Sequence, residues 1–403
     1  MKVLVILLSD QHIPNLLSVE AVRPEIIAYV ETDEMKKAHA WKNLGSALEI
    51  NGIKIDSEGF FLENENSFKA IKEIFQGIKD QYADEDIIVN LTGGTKMMSI
   101  GAYDVFKDSG AVFIYKPFKY INEFLDMRSD SRKEFKSEIS IRQFLKGYGF
   151  EISSSDSEIE KHLNESWLLF EISSYLAERH NNYTIRGCLS NIARINFNDG
   201  REYGDLRIDI SDELKTDDPV LKKFLVGQLG MESIDEEVLQ GSLSRKYVRF
   251  LTGEWLEIFI WGILNEYGHL LGYRNPIHSL TIFKRNEPGV TMNELDVVFL
   301  KGTRLCIIEC KTGKQEQDTD ANNVIYKLKS VMESLRALDV HGYLVTTSEN
   351  LVGKDGKVKP HIASRLSEYG VGLILSRDVL ALARARKENR TEEIMRLLSN
   401  LFN

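Results

Sequence analysis

Apolar and polar positions along the 403 residues change rhythm twice. Up to about residue 120, short apolar runs alternate with stretches of helical period. Val3–Leu8 is a continuous run of β-favouring residues, the pattern of a strand buried on both faces. Similar runs at Glu25–Val30, Ile53–Asp56, Ile87–Leu91 and Val112–Tyr115 predict further strands. Met35–Leu48 and Ser67–Gln76 predict helices between them. Repeated strand–helix units imply a Rossmann-like parallel sheet with right-handed crossovers.

Residues 131–240 are less regular. Ser137–Gly147 and Ser166–Arg179 read as helices and Asp212–Pro219 as an acidic connection. We expect a mainly helical connector here, with a winged-helix-like module as the alternative. From residue 241 the rhythm changes again. A helix over Gly253–Tyr267 precedes three strands, Ser279–Lys284, Glu294–Leu300 and Arg304–Lys311. A helix (Asn322–Leu338), a strand (Gly342–Thr347), a helix (Ile362–Tyr369), a strand (Gly372–Leu375) and C-terminal helices follow. The order is αβββαβ with additions, a mixed α/β core. The expected units are 1–130, 131–240 and 241–403, in keeping with roughly 100–200 residues per domain.

Hydrophobic residues at 43% and charged residues at 28% exclude a disordered or fibrous chain. The net charge of -10 argues at first against nucleic acid, because phosphate backbones bind basic surface. The acidity is local, however. Residues 1–130 carry 14 basic and 21 acidic side chains, and residues 131–240 repeat those numbers. Residues 241–403 carry 23 basic and 19 acidic groups, net +4. An acidic middle third disfavours a DNA-reading helix there. Three cysteines (Cys188, Cys306, Cys310) make no disulfide framework and point to a reducing compartment. The apolar start Met1–Ser9 is too short for a secretory segment, and Leu256–Leu264 is too short to span a bilayer and contains Glu257. A cytoplasmic protein without membrane contact is expected.

Two loops leave strands at the carboxyl edge of the predicted sheet, where ligands of such folds sit. Ser9-Asp10-Gln11 follows the first strand, and Thr92-Gly93-Gly94-Thr95-Lys96 follows the fourth. Paired glycines let backbone approach a ligand, and the helix start near Thr95 offers N–H groups to an anion. Thr92 and Thr95 add hydroxyls and Lys96 a charge. The spacing is neither a dinucleotide fingerprint nor a P-loop. A tight strand-to-helix turn with a capping Thr would explain the glycines equally well. Asp10 would repel a phosphate, so it suits orienting neighbouring groups or meeting a sugar or base edge.

The second constellation is Asp296 followed by Glu309-Cys310-Lys311. Strand alternation puts Ile307, Glu309 and Lys311 on one face of Arg304–Lys311, and Cys306, Ile308 and Cys310 on the other. A Glu and a Lys on an otherwise apolar strand are costly unless paired or functional. Gly302-Thr303 supplies a turn that can bring Asp296 beside Glu309. Convergent carboxylates suit a divalent cation; a cross-strand salt bridge is the simpler explanation. The eight histidines show no zinc spacing. Arg384, Arg386, Lys387 and Arg390 read as a solvated helix face, with phosphate contact as the alternative.

The N-terminal strand with Ser-Asp-Gln, together with Asn90-Leu91-Thr92-Gly93-Gly94-Thr95-Lys96-Met97-Met98, resembles the CRISPR-associated Rossmann fold (CARF) sensor domain. That resemblance implies a homodimer binding a cyclic oligoadenylate, above all cyclic tetra-adenylate, with Ser9, Asp10, Gln11 and Thr92–Lys96 lining the site. Asp296, Glu309 and Lys311 in an αβββαβ order resemble the PD-(D/E)xK nuclease superfamily, with Leu295 where its name has proline. This implies a restriction-endonuclease-like domain using Mn²⁺ or Mg²⁺, held by Asp296, Glu309 and the Cys310 carbonyl. Gly253–Glu257 resembles the helix before that core in sensor-fused nucleases, which implies a supporting role for Glu257. The fusion implies a type III CRISPR antiviral nuclease, switched on by its ligand, that cuts single-stranded DNA and RNA and nicks supercoiled DNA. Two alternatives are a ligand-responsive nucleic-acid-binding regulator without cleavage, and a sensor that degrades its own ligand.

Overall fold

A computed structural model describes the chain except for residues 51–54, 118–122, 136–138, 199–206, 237, 286–292, 313–317, 336–339 and 403. For 195–198, 207–213 and 318–321 it describes the backbone alone. Five parallel strands form the first sheet's centre: β1 (Lys2–Leu7), β2 (Ile26–Thr32), β3 (Asp56–Leu62), β4 (Asp86–Asn90) and β5 (Val112–Tyr115). Two antiparallel strands, β6 (Glu123–Asp126) and β7 (Ser131–Glu134), complete the order β3-β2-β1-β4-β5-β6-β7. β1 is apolar throughout because it is central. Val3, Val5 and Leu7 pack on one side of the sheet and Leu4 and Ile6 on the other. The chain winds outward from β1 to β3, then returns to β4 on β1's other flank. The order reverses between β1 and β4, a switch point where adjacent connections diverge and leave a crevice.

Several expectations shift here. The run at Ile53–Asp56 falls partly outside the described residues, and the strand itself is Asp56–Leu62. It is an edge strand whose mostly exposed residues lack the apolar signal of a central one. The predicted Met35–Leu48 helix is two, Asp33–Lys37 and Ala40–Glu49, because His39 adopts a left-handed φ of 56°. The helix His12–Val22 and the antiparallel strands β6 and β7 were not anticipated.

A capping box of Ser140 and Gln143 opens the helix Ile141–Gly147, which leads into the short strand β8 (Phe150–Ile152). The connector then runs through the helices Asp156–Arg179, Tyr183–Asn198 and Pro219–Gly227. A small antiparallel sheet accompanies them: β9 (Arg207–Lys215), β10 (Glu232–Ser233) and β11 (Val238–Ser244), ordered β10-β11-β9. The expected acidic connection at Asp212–Pro219 is thus the end of β9 and the start of a helix capped by Asp218, whose carboxylate accepts from Leu221 N–H.

The C-terminal part follows the expected order. The helix Trp255–Tyr267 precedes β12 (Tyr273–Lys284), β13 (Asn293–Lys301) and β14 (Arg304–Lys311). The helix Asp318–Ser334, β15 (Val340–Thr346), the helix Pro360–Tyr369, β16 (Val371–Ile374) and the helices Ser376–Lys387 and Thr391–Leu401 follow. The sheet is ordered β16-β15-β14-β13-β12-β8, so a connector strand closes its edge. Among the described residues no helix is long and apolar enough to cross a membrane.

One apolar core serves both sheets. It runs from Leu4 and Ile6 through Phe144 and Phe150 to Leu280, Val298 and Ile307. Cys306, Ile308 and Cys310 face a second core shared with the connector and C-terminal helices, which bears out the alternation expected for β14. Arg285 fastens the junction: its guanidinium lies 2.7 Å from Glu151 on β8 and donates to Ser46 Oγ at 2.9 Å on the helix Ala40–Glu49. Removing it leaves the partly buried Glu151 with only the longer Lys146 contact, at 3.8 Å. We predict that Arg285→Ala destabilises the protein by about 1–3 kcal/mol in denaturant unfolding, and that Arg285→Lys recovers only part of this.

Candidate functional site

The first site is built at the switch point. Buried Asn15 donates to the Leu7 carbonyl at 3.0 Å and accepts from Asn90 Nδ2 at 3.1 Å. Asn90 Oδ1 in turn accepts from Thr92 N–H at 3.0 Å, so the glycine loop is hung from the end of β1. A Cβ on Gly93 would lie 2.1 Å from the Leu7 carbonyl oxygen, and Gly94 has a φ of +69°. Both positions therefore need glycine. Ser99 Oγ closes the loop from below, donating toward the carbonyls of Leu91 and Gly93. Thr95, Lys96 and Met97 are left exposed at the start of the helix Lys96–Phe106. Asp10 is exposed on the neighbouring loop, and Ser9 Oγ accepts from Gln11 N–H.

The expected roles of the two threonines change. Thr92 Oγ1 accepts from Lys116 N–H at 2.8 Å and Thr95 Oγ1 caps the helix by accepting from Met98 N–H. Their hydroxyls are engaged in building the loop. The capping-Thr reading is thus borne out, and it is compatible with the anion-site expectation, since the Thr95 cap takes up one N–H of the helix start.

The second site lies across β12, β13 and β14. Leu280 pairs with Leu295 and His278 with Val297, which puts Ser279 opposite Asp296. Val297 pairs with Ile308, which puts Asp296 opposite Glu309. Asp296 and Glu309 are both buried, at 7% and 4% exposure, so neither charge is solvated by water alone. Lys311 Nζ lies 2.7 Å from Glu309 Oε1 and 3.4 Å from Asp296 Oδ2. The Cys310 N–H donates to Asp296 Oδ2 at 2.7 Å. Lys327, from the helix Asp318–Ser334, meets both Glu309 oxygens at 3.0 and 3.3 Å.

Glu257 enters from the first turn of the helix Trp255–Tyr267 and accepts from Ser279 Oγ at 3.3 Å. Two unusual stretches of backbone frame it. Ser279 adopts a left-handed φ of 52°, a conformation that costs a non-glycine residue about 1–3 kcal/mol. A π-helical turn, Phe250–Glu254, precedes the helix and is tied to the end of β14, because Thr312 Oγ1 donates to the Thr252 carbonyl at 2.9 Å. Burial, then the charges of Asp296 and its neighbours, pushes Glu257 up to about 9. Burial and the Glu309 charge push Asp296 up to about 6, against the pull of Lys311 and the Cys310 N–H. Burial alone would lower Lys311, but the two carboxylates hold its ammonium above the ordinary range. The Cys310 side chain is core, its thiol raised by burial.

Two family models match the chain: the Card1 CARF domain over residues 3–144 and the Card1-like endonuclease domain over residues 244–366. The chain joins a Card1 CARF domain to a Card1-like endonuclease domain. Among solved structures, Can2 from Sulfobacillus thermosulfidooxidans in complex with cyclic tetra-adenylate is 18% identical over all of both chains, with a TM-score of 0.71. Protein VC1899 from Vibrio cholerae is 16% identical over 98% of each chain, with a TM-score of 0.74. A type III CRISPR defence DNA nuclease activated by cyclic oligoadenylate is 16% identical over 91% of this chain, with a TM-score of 0.51, and the chain spans 51% of its length. At these identities the likeness is one of fold. No curated protein matches.

The CARF domain thus holds Ser9–Gln11 and Thr92–Lys96 at one sheet edge, and the endonuclease domain holds Asp296, Glu309, Lys311 and Glu257 around one point. Of the C-terminal basic cluster, Arg386 is drawn between Glu266 and Glu171, Lys387 pairs with Glu178, and Arg390 with Glu388 and Glu393. These three are committed to structural ion pairs. Sequence reasoning missed Lys327, Ser279, Asn15 and the role of Asn90. Among the described residues no group of three or more His, Cys, Asp and Glu side chains gathers in metal-binding geometry. The donor set nevertheless fits a hard divalent ion: two buried carboxylates share the Lys311 ammonium, and Glu257 stands near.

Raised carboxyl groups make stability pH-dependent, with a definite sign. Folded Glu257 keeps its proton up to about pH 9, whereas the unfolded chain releases it near the ordinary value of 4.5. The contribution is therefore full below that value and lost as pH rises toward 9. His278 and His12 act at the other end, since burial lowers them to about 3 and about 4. Their contribution fades on acidification below about 6.5. In metal-free buffer we predict a Tm that falls between pH 6.5 and 9, and a flatter alkaline limb for Glu257→Gln. An unchanged limb in that variant would remove Glu257 as its cause.

Proposed function

We propose that this protein is a homodimeric, metal-dependent endonuclease activated by a cyclic oligoadenylate, most specifically cyclic tetra-adenylate, in cytoplasmic type III CRISPR antiviral defence. The observation that carries the reading is the buried Asp296–Glu309–Lys311 cluster in a chain whose other end is a CARF domain. The Can2 structure, of the same fold over the whole chain, holds cyclic tetra-adenylate. Three buried, unbridged cysteines suit a reducing compartment.

Asp296, Glu309 and the Cys310 carbonyl would hold Mn²⁺ or Mg²⁺, with Glu257 in support. The ion supplies Lewis acidity toward the scissile phosphate and a more acidic bound water. Lys311 carries a fixed positive charge at the reacting centre, where it offsets charge that develops on the phosphate. The Cys310 N–H and Ser279 Oγ fix the rotamers of Asp296 and Glu257. Single-stranded DNA and RNA are the expected substrates, with nicking of supercoiled DNA. A domain of net +4 without a long basic tract suits weak, salt-sensitive and sequence-independent binding.

In the sensor, backbone N–H groups at the start of Lys96–Phe106 and the Lys96 ammonium meet the ligand's phosphates, while Ser9, Asp10 and Gln11 meet its sugar or base edges. One ring across a two-fold axis gives each subunit the same half. Met97, Ile100 and Tyr103 form an exposed apolar stripe on the helix that begins with Lys96. A second copy would cover it. Ile100→Glu is predicted to shift the dimer to monomer in sedimentation and to abolish ligand-stimulated cleavage, while a CD melt shows a folded chain.

The decisive assay incubates single-stranded DNA and RNA with Mn²⁺ or Mg²⁺, with and without cyclic tetra-adenylate. Wild type should cleave only with both. Glu309→Ala should cut the rate by roughly a hundredfold or more with ligand binding intact, and Lys96→Ala should weaken activation by the ligand. Cleavage indifferent to the ligand would sink the sensor reading. Cleavage surviving both chelation and Glu309→Ala would sink the metal-nuclease reading.

A further inference from the structure

Glu309 has two ammonium partners of different kinds. Lys311 stands on the same strand, two residues away, and touches both Asp296 and Glu309. Lys327 arrives from a helix, reaches both oxygens of Glu309, and has about half of its side chain (49%) exposed. Its charge also bears on Asp296, though only Glu309 is in contact. Lys311 is thus a fixture of the strand, whereas Lys327 is a long, flexible arm laid onto the carboxylate from the solvent side.

The charges show what this arm does. Two ammonium groups balance the two buried carboxylates in the absence of any other cation. A divalent ion needs the same Glu309 oxygens. Were both lysines to stay, the cluster would carry surplus positive charge inside a poorly solvated site, which Coulomb repulsion opposes. Lys327 is the partner that can leave, since its side chain is already half exposed and its departure buries nothing. A phosphodiester brought to the site is the anion that would then receive it. Resting on the nuclease reading above, we propose that Lys327 is an exchangeable counter-ion of Glu309, which yields that carboxylate to the divalent ion and then binds a substrate phosphate.

This predicts effects of opposite sign in one variant. Mn²⁺ binding to the full-length protein is measured by electron paramagnetic resonance of free Mn²⁺, without nucleic acid. Lys327→Met should bind Mn²⁺ more tightly, by about three- to tenfold for the loss of one competing ion pair. At saturating Mn²⁺ and cyclic tetra-adenylate the same variant should cleave single-stranded substrate more slowly, with a raised KM. Lys327→Arg should restore KM toward wild type, because a guanidinium also grips phosphate. A purely structural salt bridge would lower Tm and leave Mn²⁺ affinity unchanged or weaker, and that result overturns the proposal. So does wild-type KM in Lys327→Met. If Mn²⁺ fails to bind the wild type at all, the metal-nuclease reading falls, and this proposal with it. If Mn²⁺ binds the wild type and Glu309→Gln weakens it, that reading stands, and the Lys327 result alone decides the exchange.

Discussion

Backbone hydrogen bonds between β8 and β12 tie a segment that packs on the first sheet to a strand that lies beside the carboxylate cluster. Phe150 and Ile152 of β8 share an apolar core with Phe144 and Leu145 before them and with Leu280 and Ile282 across the ladder. Phe144 and Leu145 are in turn buried with Leu44 and Leu48 of the first half. Arg285 adds a polar clasp at the same place through Glu151 and Ser46. Interiors this closely packed do not deform smoothly; they hold one arrangement or jump to another. The two halves are therefore bound as neighbours in one core, and a rearrangement at either must be accommodated through this joint.

Electrostatics sets the second constraint. Three carboxyl groups crowd one end of the second sheet, and burial raises two of them, Asp296 and Glu257. Such a cluster stores repulsion that the fold must offset locally. Lys311, Lys327 and the Cys310 N–H do this for the Asp296–Glu309 pair, and Ser279 does it for Glu257. The strained Ser279 backbone and the π-helical turn before Glu257 add a further cost that packing alone does not require. Expense concentrated at one point supports the proposed nuclease centre there.

What was legible in the sequence follows from burial. β14 was read with its ends correct, because a strand covered on both faces is apolar without interruption, and its Glu309 and Lys311 stood out against that background. Asp296 was legible for the same reason. Lys327 was not: it is one lysine on an amphipathic helix, and its partner is 18 residues away across an unpredicted approach. Asn15 and Asn90 meet over 75 residues, so their joint support of the glycine loop lies beyond any local pattern. β3 escaped because an exposed edge strand carries little hydrophobic signal, and β8 because three residues are too few to show a period. The left-handed φ of Ser279 has no residue signature at all, since nothing in a serine announces it.

On the proposed reading, the constraint at β8 and the charge cluster meet in a single argument about activation. A ligand shifts an equilibrium only as far as it binds one arrangement better than another. The glycine loop is fixed to the end of β1 through Asn15, whose helix, His12–Val22, also carries His12. His12 is buried edge-on against Tyr148, between the helix Ile141–Gly147 and β8. A ring that drew the two copies of the loop together would press first on this helix, and differential contact at the loop becomes a choice of packing at Tyr148. The far side of that packing is β12, which carries His278 and Ser279 to Glu257. On that reading an acidic sensor would act on the nuclease centre through side-chain packing rather than through long-range charge, since its 14 basic and 21 acidic groups leave it net negative.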